Sequence, residues 1–112
     1  MRRGEIWRVK FKKPRGSEPG YPRPALVVQA DFYNRSAINT VVVVALTTNL
    51  RMAEMPGNVL IRHRKSGLAK DSVANVSQIA SVDRSWLTES LGTVTPHQLE
   101  TVEEGLRLLL QL

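Results

Sequence analysis

The sequence predicts a mostly-β domain: a small, curled, largely antiparallel barrel of five to seven short strands with one helix at the C-terminal end. Three observations carry this. Short alternating or β-branched runs recur between clusters of Pro, Gly and Asn. The one sustained apolar pattern at helical spacing lies at the C-terminus. The chain has 112 residues and 12.5 kDa, which makes one domain, 1–112, able to fold on a single core without staples.

Each element has its own signal. From Ile6 to Phe11, Trp7, Val9 and Phe11 alternate with Arg8 and Lys10, a strand with one wet face. Lys12 to Pro22 holds three prolines and two glycines and is a long loop. Pro24 to Gln29 is a buried strand, and Asp31 to Asn39 a polar connection. Thr40 to Thr47 carries a β-branched run suited to a strand covered on both faces. Thr48 to Asn58, with Met-Pro-Gly, is a second long loop. Val59 to Arg62 and Ser72 to Ala80 are strands, the latter with imperfect alternation. Asp83 can cap a short helix at Arg84 to Thr88, and Gly92-Thr93-Val94 allows a last short strand. Thr95-Pro96-His97-Gln98 is a capping box with proline at the first helical position. Leu99, Val102, Leu106 and Leu109 then fall on one stripe.

Composition excludes several chemistries. There is no cysteine, so disulfides, thiolate metal sites and cysteine nucleophiles are out. The two histidines, His63 and His97, are far apart, which argues against a zinc site; no metal ligands are expected. Sixteen Lys and Arg against ten Asp and Glu give a net charge of +6, which suits nucleic acid or an acidic protein segment. No apolar run approaches the ~20 residues of a membrane helix. Met1 to Glu5 is basic but is not followed by the apolar stretch of a signal peptide, so the cytoplasm is the expected compartment.

Three places could carry chemistry. Arg23 stands between Pro22 and Pro24, and the following proline disfavours the α region for it. A permanently charged fork on a stiff segment suits a phosphate oxygen, although a plain surface arginine at a strand start fits the pattern too. Thr47-Thr48-Asn49 closes the most buried strand, where hydroxyls either meet a ligand or satisfy the turn. Ser17-Glu18 places a carboxylate in a basic loop, as a base, as a partner for an arginine, or as a solvated charge. Arg62-His63-Arg64-Lys65 is either a phosphate-facing surface or a wet hairpin tip. Trp7 and Trp86 are better placed in a core than as stacking platforms.

Arg3-Gly4-Glu5-Ile6-Trp7-Arg8-Val9 opens the chain, and Gly16-Ser17-Glu18 and Arg23-Pro24-Ala25-Leu26-Val27-Val28-Gln29 follow. Asp31, Asn34, Ala45-Leu46-Thr47, Asp71-Ser72-Val73, Gln78-Ile79 and Val82-Asp83 come after in order. This ordered set resembles the MazF/PemK/Kid family of bacterial toxins over essentially the whole chain. The resemblance implies the SH3-like, PemK-like barrel and a sequence-specific, metal-independent endoribonuclease. Such toxins cut single-stranded RNA, chiefly messenger RNA, by attack of its own 2′-hydroxyl. It also implies a homodimer, no cofactor, and neutralisation by a MazE-like antitoxin through an acidic tail. Matched residue by residue, Arg23 and Thr47 take the catalytic positions, and Ser17, Glu18 and Gln78 take RNA-contacting ones. Thr48 and Asn49 join them by adjacency.

The chain departs from the family pattern twice. Some members, such as Kid, use an arginine and an aspartate on the fifth strand as acid and base. The matching positions here are Asn75 and Ser77, which leaves the base open among Glu18, Arg23 and water. Many members read Gln-Ile-Arg where this chain has Gln78-Ile79-Ala80, which bears on the recognition sequence or on an ion pair near a dimer interface. The alternatives are a non-catalytic, CcdB-like inhibitor of DNA gyrase on the same barrel, and a module that binds RNA without cutting it.

Overall fold

The computed structural model, which describes residues 1–112, contains six strands. They are β1 (Glu5–Lys10), β2 (Pro22–Val27), β3 (Thr40–Thr47), β4 (Val59–Ile61), β5 (Ser72–Asp83) and β6 (Leu87–Thr93). All pair antiparallel in one curled sheet of order β4-β5-β3-β2-β1-β6. β3 is covered on both faces, and its Val41, Val43, Val44 and Ala45 have no exposed surface. Each such valine contributes about 1.5–3 kcal/mol by leaving water. One face builds a core from Ile6, Leu26, Val44, Leu46, Ile61 and Val102. The other gathers Val9, Phe11, Ala25, Val27, Val43 and Val82, with the half-buried Trp7 and Trp86 packed against it.

The C-terminal helix, α2 (Pro96–Leu110), lies on the first face. Its capping box is complete: the Gln98 amide donates to Thr95 Oγ1 at 3.1 Å, and the Thr95 amide to Gln98 Oε1 at 2.9 Å. Leu99, Val102 and Leu106 pack inward, but Leu109 is 42% exposed beside the exposed Leu108 and Leu110, so the buried stripe ends one turn early.

Four local expectations shift. β6 starts at Leu87, not Gly92; it is an edge strand, and its Thr88, Glu89 and Ser90 face solvent and give no apolar alternation. The helix expected at Arg84 to Thr88 is a single 3-10 turn, Arg84–Trp86, capped by Asp83, whose Oδ1 accepts from the Ser85 amide at 2.9 Å. The connection after β2 contains a short helix, α1 (Asp31–Asn34), held by the buried Asn34, which donates to Gln29 O at 2.9 Å and to Asp31 Oδ1 at 3.1 Å. β5 runs on to Asp83 past a register shift opposite Val44 to Leu46, which is the source of its broken alternation.

β4 and β6 are the two edges, and no ladder joins them. The loop after β4 bridges the gap instead. Gly67, at φ +85°, lies so close to Leu91 that a Cβ on it would fall 1.8 Å from the Leu91 carbonyl oxygen. Only glycine fits there.

Candidate functional site

In this antiparallel sheet β2 enters where β3 leaves and β5 enters. Pro22–Pro24, Leu46–Thr48 and Ser72 therefore meet at one sheet end, around a cavity of about 190 Å³. Ala25 pairs with Ala45, and the same register carried two residues on sets Arg23 opposite Thr47. Strand alternation puts both side chains on the Ala25–Ala45 face. The two residues singled out from the sequence are thus neighbours across one strand pair.

Arg23 is half-buried, and its Nε donates to the Gly20 carbonyl at 3.0 Å. That bond and the two flanking prolines fix the guanidinium, while its terminal nitrogens have no protein partner. Thr47 Oγ1 accepts from the Asn49 amide at 3.2 Å, which leaves its hydroxyl proton free to donate. Thr48 lines the same cavity. Asn49 is placed differently: its Oδ1 accepts from the Arg51 amide at 3.3 Å and caps the 3-10 turn Leu50–Glu54.

The loop between β1 and β2 reaches across the sheet. Gln78 Nε2, on β5, donates to the Ser17 carbonyl at 3.1 Å, so these two candidates meet directly. Glu18 lies apart from the Arg23–Thr47 cavity. Its Oε1 accepts from the Arg15 amide at 2.5 Å, and it lines a second cavity of about 470 Å³ with Phe11, Lys12, Ala80 and Trp86. Lys12 Nζ stands 5.4 Å from the centre of the Trp86 ring, a cation–π distance.

No carboxylate lines the Arg23–Thr47 cavity. Asn75 is buried, and its Oδ1 accepts from Ser77 Oγ at 3.0 Å and from Asn58 Nδ2 at 3.3 Å, so both residues are spent on the β5 irregularity. What converges is a fixed guanidinium and two hydroxyls, an arrangement that binds an anion and neutralises charge developing on it. Ser72 joins them without having been singled out; its only sequence signal is its place between Asp71 and Val73.

Three carboxyls sit below their ordinary range, all outside this cavity. Asp71 is lowered first by the His63 amide, then by the His63 ring. Asp31 is lowered by the Arg3 amide and Asn34, and Asp83 by the Ser85 hydroxyl and amide. No helix is long and apolar enough to cross a membrane.

A model of PemK-like, MazF-like toxins of type II toxin–antitoxin systems matches residues 2–110. Endoribonuclease MazF6 of Mycobacterium tuberculosis (strain H37Rv) is 39% identical over 110 residues, which cover 98% of this chain and 96% of that protein. Endoribonuclease EndoA of Bacillus subtilis is 32% identical over 112 residues, 100% of this chain and 96% of that protein. A mycobacterial endoribonuclease solved in complex with its cognate antitoxin superposes with a TM-score of 0.78 at 28% identity, covering 100% of this chain and 96% of that one.

Proposed function

The chain belongs to the PemK-like, MazF-like toxins of type II toxin–antitoxin systems, and from that premise we propose that its Arg23–Thr47 cavity is where it cuts RNA. It is an endoribonuclease toxin neutralised by an antitoxin. The substrate we propose is single-stranded RNA, messenger RNA above all, cut at a short sequence without a metal. The cytoplasm follows as the compartment, and 1–112 as one catalytic domain.

The observation that carries the site is the juxtaposition of Arg23 and Thr47 across β2 and β3 in one cavity. In the reaction the ribose 2′-oxygen bonds to phosphorus as the bond to the 5′-oxygen breaks. A proton leaves the 2′-hydroxyl and another reaches the departing oxygen. The terminal nitrogens of Arg23 meet the non-bridging oxygens, where negative charge grows most. Thr47 donates to a phosphate oxygen and holds the phosphate for in-line attack. Arg23 is permanently charged and has no acceptor, so it takes no proton. Glu18 faces another cavity, and Asn75 and Ser77 cannot titrate. Solvent water therefore takes the 2′ proton. The 2′-hydroxyl requirement makes DNA inert. Ser17, Gln78 and Thr48 flank the strand beyond the cut.

A homodimer fits the surface. Leu108, Leu110 and Leu112 are 60%, 49% and 85% exposed at the end of α2, apolar surface that a second copy would cover. The antitoxin partner fits the +6 charge through an acidic, MazE-like tail.

The test is incubation with a long mixed-sequence RNA in EDTA, beside R23A and a matched DNA, with the new 5′ ends mapped. Wild type should cut RNA at discrete sites and leave DNA intact. R23A should lose roughly 10²–10³ in rate, the scale of one donor removed from developing charge. Full cutting by R23A would overturn the site, and intact RNA with wild type would overturn the activity.

A further inference from the structure

The loop joining β4 to β5 leaves the sheet at the end that holds Arg23 and Thr47; Ser72, the residue after Asp71, lines their cavity. This loop carries Arg62, Arg64, Lys65 and Lys70 against the single carboxylate of Asp71.

The loop is exposed but built. Asp71 Oδ1 accepts from the His63 amide at 2.8 Å and contacts His63 Nδ1 at 2.7 Å, while Asp71 Oδ2 faces Arg62 Nη1 at 3.5 Å. The His63 carbonyl accepts from Ser66 Oγ at 3.0 Å, and that hydroxyl accepts from the Leu68 amide at 3.3 Å. Ser66 and Leu68 are buried, and Gly67 is pressed on Leu91. So His63 is held at its amide, its carbonyl and one ring nitrogen. A carboxylate on Nδ1 keeps the proton there and leaves Nε2 as the free position, without a protein partner. The ring is 50% exposed. The charged groups about it are Asp71 in contact, Arg62 through that carboxylate, and Arg64, Lys65 and Lys70 along the loop.

Thr47 pairs with Val73, and Asp71 lies two residues before Val73, just ahead of the first residue of β5. At ~3.3 Å per residue and ~4.8 Å between strands, the Asp71 backbone lies about 7 Å along and about 5 Å across from that of Thr47. His63 and Asp71 do not line the Arg23–Thr47 cavity, so a phosphate met by the ring is one beside that held in the cavity.

We propose that His63, held by Asp71 and flanked by Arg62 and Arg64, forms a subsite for an RNA backbone phosphate next to the scissile one. It is a positioning subsite. Protonated, the ring presents Nε2–H as a charge-assisted donor to a phosphate oxygen, and the arginines supply permanent charge. RNA is favoured over an acidic peptide because the loop is continuous with the cutting cavity through Ser72, and the substrate brings phosphates at regular spacing. The inference rests on the reading of that cavity as the cutting site.

Two measurements on the full chain test it, each with wild type, H63Q and R64Q. In steady-state cleavage of a long RNA, both variants should raise KM by roughly three- to tenfold at unchanged kcat. In binding of an uncleavable 2′-O-methyl RNA, both should weaken affinity by a similar factor and lower the salt slope by about one. A fall in kcat at constant KM for H63Q would place His63 in bond breaking and overturn the proposal. So would no change in either measurement, or weakened binding of an acidic antitoxin peptide alone. If wild type fails to cut but the binding differences appear, phosphate binding at His63 stands, while its place beside a scissile phosphate falls with the cutting site.

Discussion

Arg23 and Thr47 have the residue types that charge stabilisation needs, and neither has the type that proton removal needs. Glu18 is the one carboxylate of the β1–β2 loop that could fill the gap, and its geometry argues against it. Its Oε1 is taken by the Arg15 amide at 2.5 Å, and it opens on the cavity with Ala80 and Trp86 rather than on the one with Arg23. A positioned general base is worth about 10²–10⁴ in rate. E18Q keeps the hydrogen-bonding oxygen and removes the basicity. We expect kcat for RNA cleavage to change far less than that, with any effect falling on KM or on the preferred sequence. A loss of kcat on the scale of a missing base, read in single-turnover cleavage, would return Glu18 to that role. The sequence shows Arg23 through its two prolines and Thr47 through its place at the end of a β-branched run. It does not show that Asn49 is committed to capping, since an Asn after two threonines reads alike as a ligand or as a turn former. It hides the pairing of His63 with Asp71 as well, because that contact is set by how the chain turns back between β4 and β5.

Among the elements, α2 is the one whose start is most legible and whose packing is least so. Thr95, Pro96 and Gln98 mark its first turn directly. Its seat is a glycine contact: a Cβ at Gly105 would fall 2.1 Å from the Gly57 carbonyl oxygen, on the loop before β4. In an exposed helix, alanine in place of glycine stabilises by up to about 1 kcal/mol. Here the methyl group meets backbone that cannot rotate away, and overpacking of this kind costs about 1–3 kcal/mol. G105A should therefore be less stable than wild type in urea denaturation, against the helix propensity. A more stable G105A would mean that α2 does not sit against Gly57. The sequence shows β1 and α2 because each has a buried face with its own period. β3 is legible through a β-branched run buried on both faces rather than through a period, whereas most of β6, an edge strand with a polar outer face, and the helix α1, held by Asn34 bonding to Gln29 and Asp31 rather than by an apolar stripe, are missed.

At the scale of the whole molecule, a chain of net charge +6 keeps its fold partly through carboxylates that tie down its irregular segments. Asp31 Oδ1 accepts from the Arg3 amide at 2.8 Å and binds the turn before β1 to α1. Asp71 holds the β4–β5 loop, and Asp83 caps the turn into β6. All three have carboxyl pKa values lowered in the folded state, each with a hydrogen bond from a backbone amide among its causes. A lowered folded pKa means that the ionised form is the one the fold prefers. The stability it contributes is fully present above the ordinary carboxylate range and is lost as pH falls through the lowered values. Protonation also removes negative charge from a molecule already strongly positive, so self-repulsion grows in the same window. Stability should be nearly level from neutrality down to about pH 5 and fall steeply below about pH 4. D31N isolates one of the three ties. It lacks the charge at every pH, so its deficit against wild type should be largest near neutrality and shrink in acid, where wild-type Asp31 is itself protonated. Thermal melts of both proteins at pH 7 and pH 3 read this directly. A deficit as large at pH 3 as at pH 7 would show that the Asp31 contact works through shape rather than charge, and that the acid limb belongs to Asp71 and Asp83.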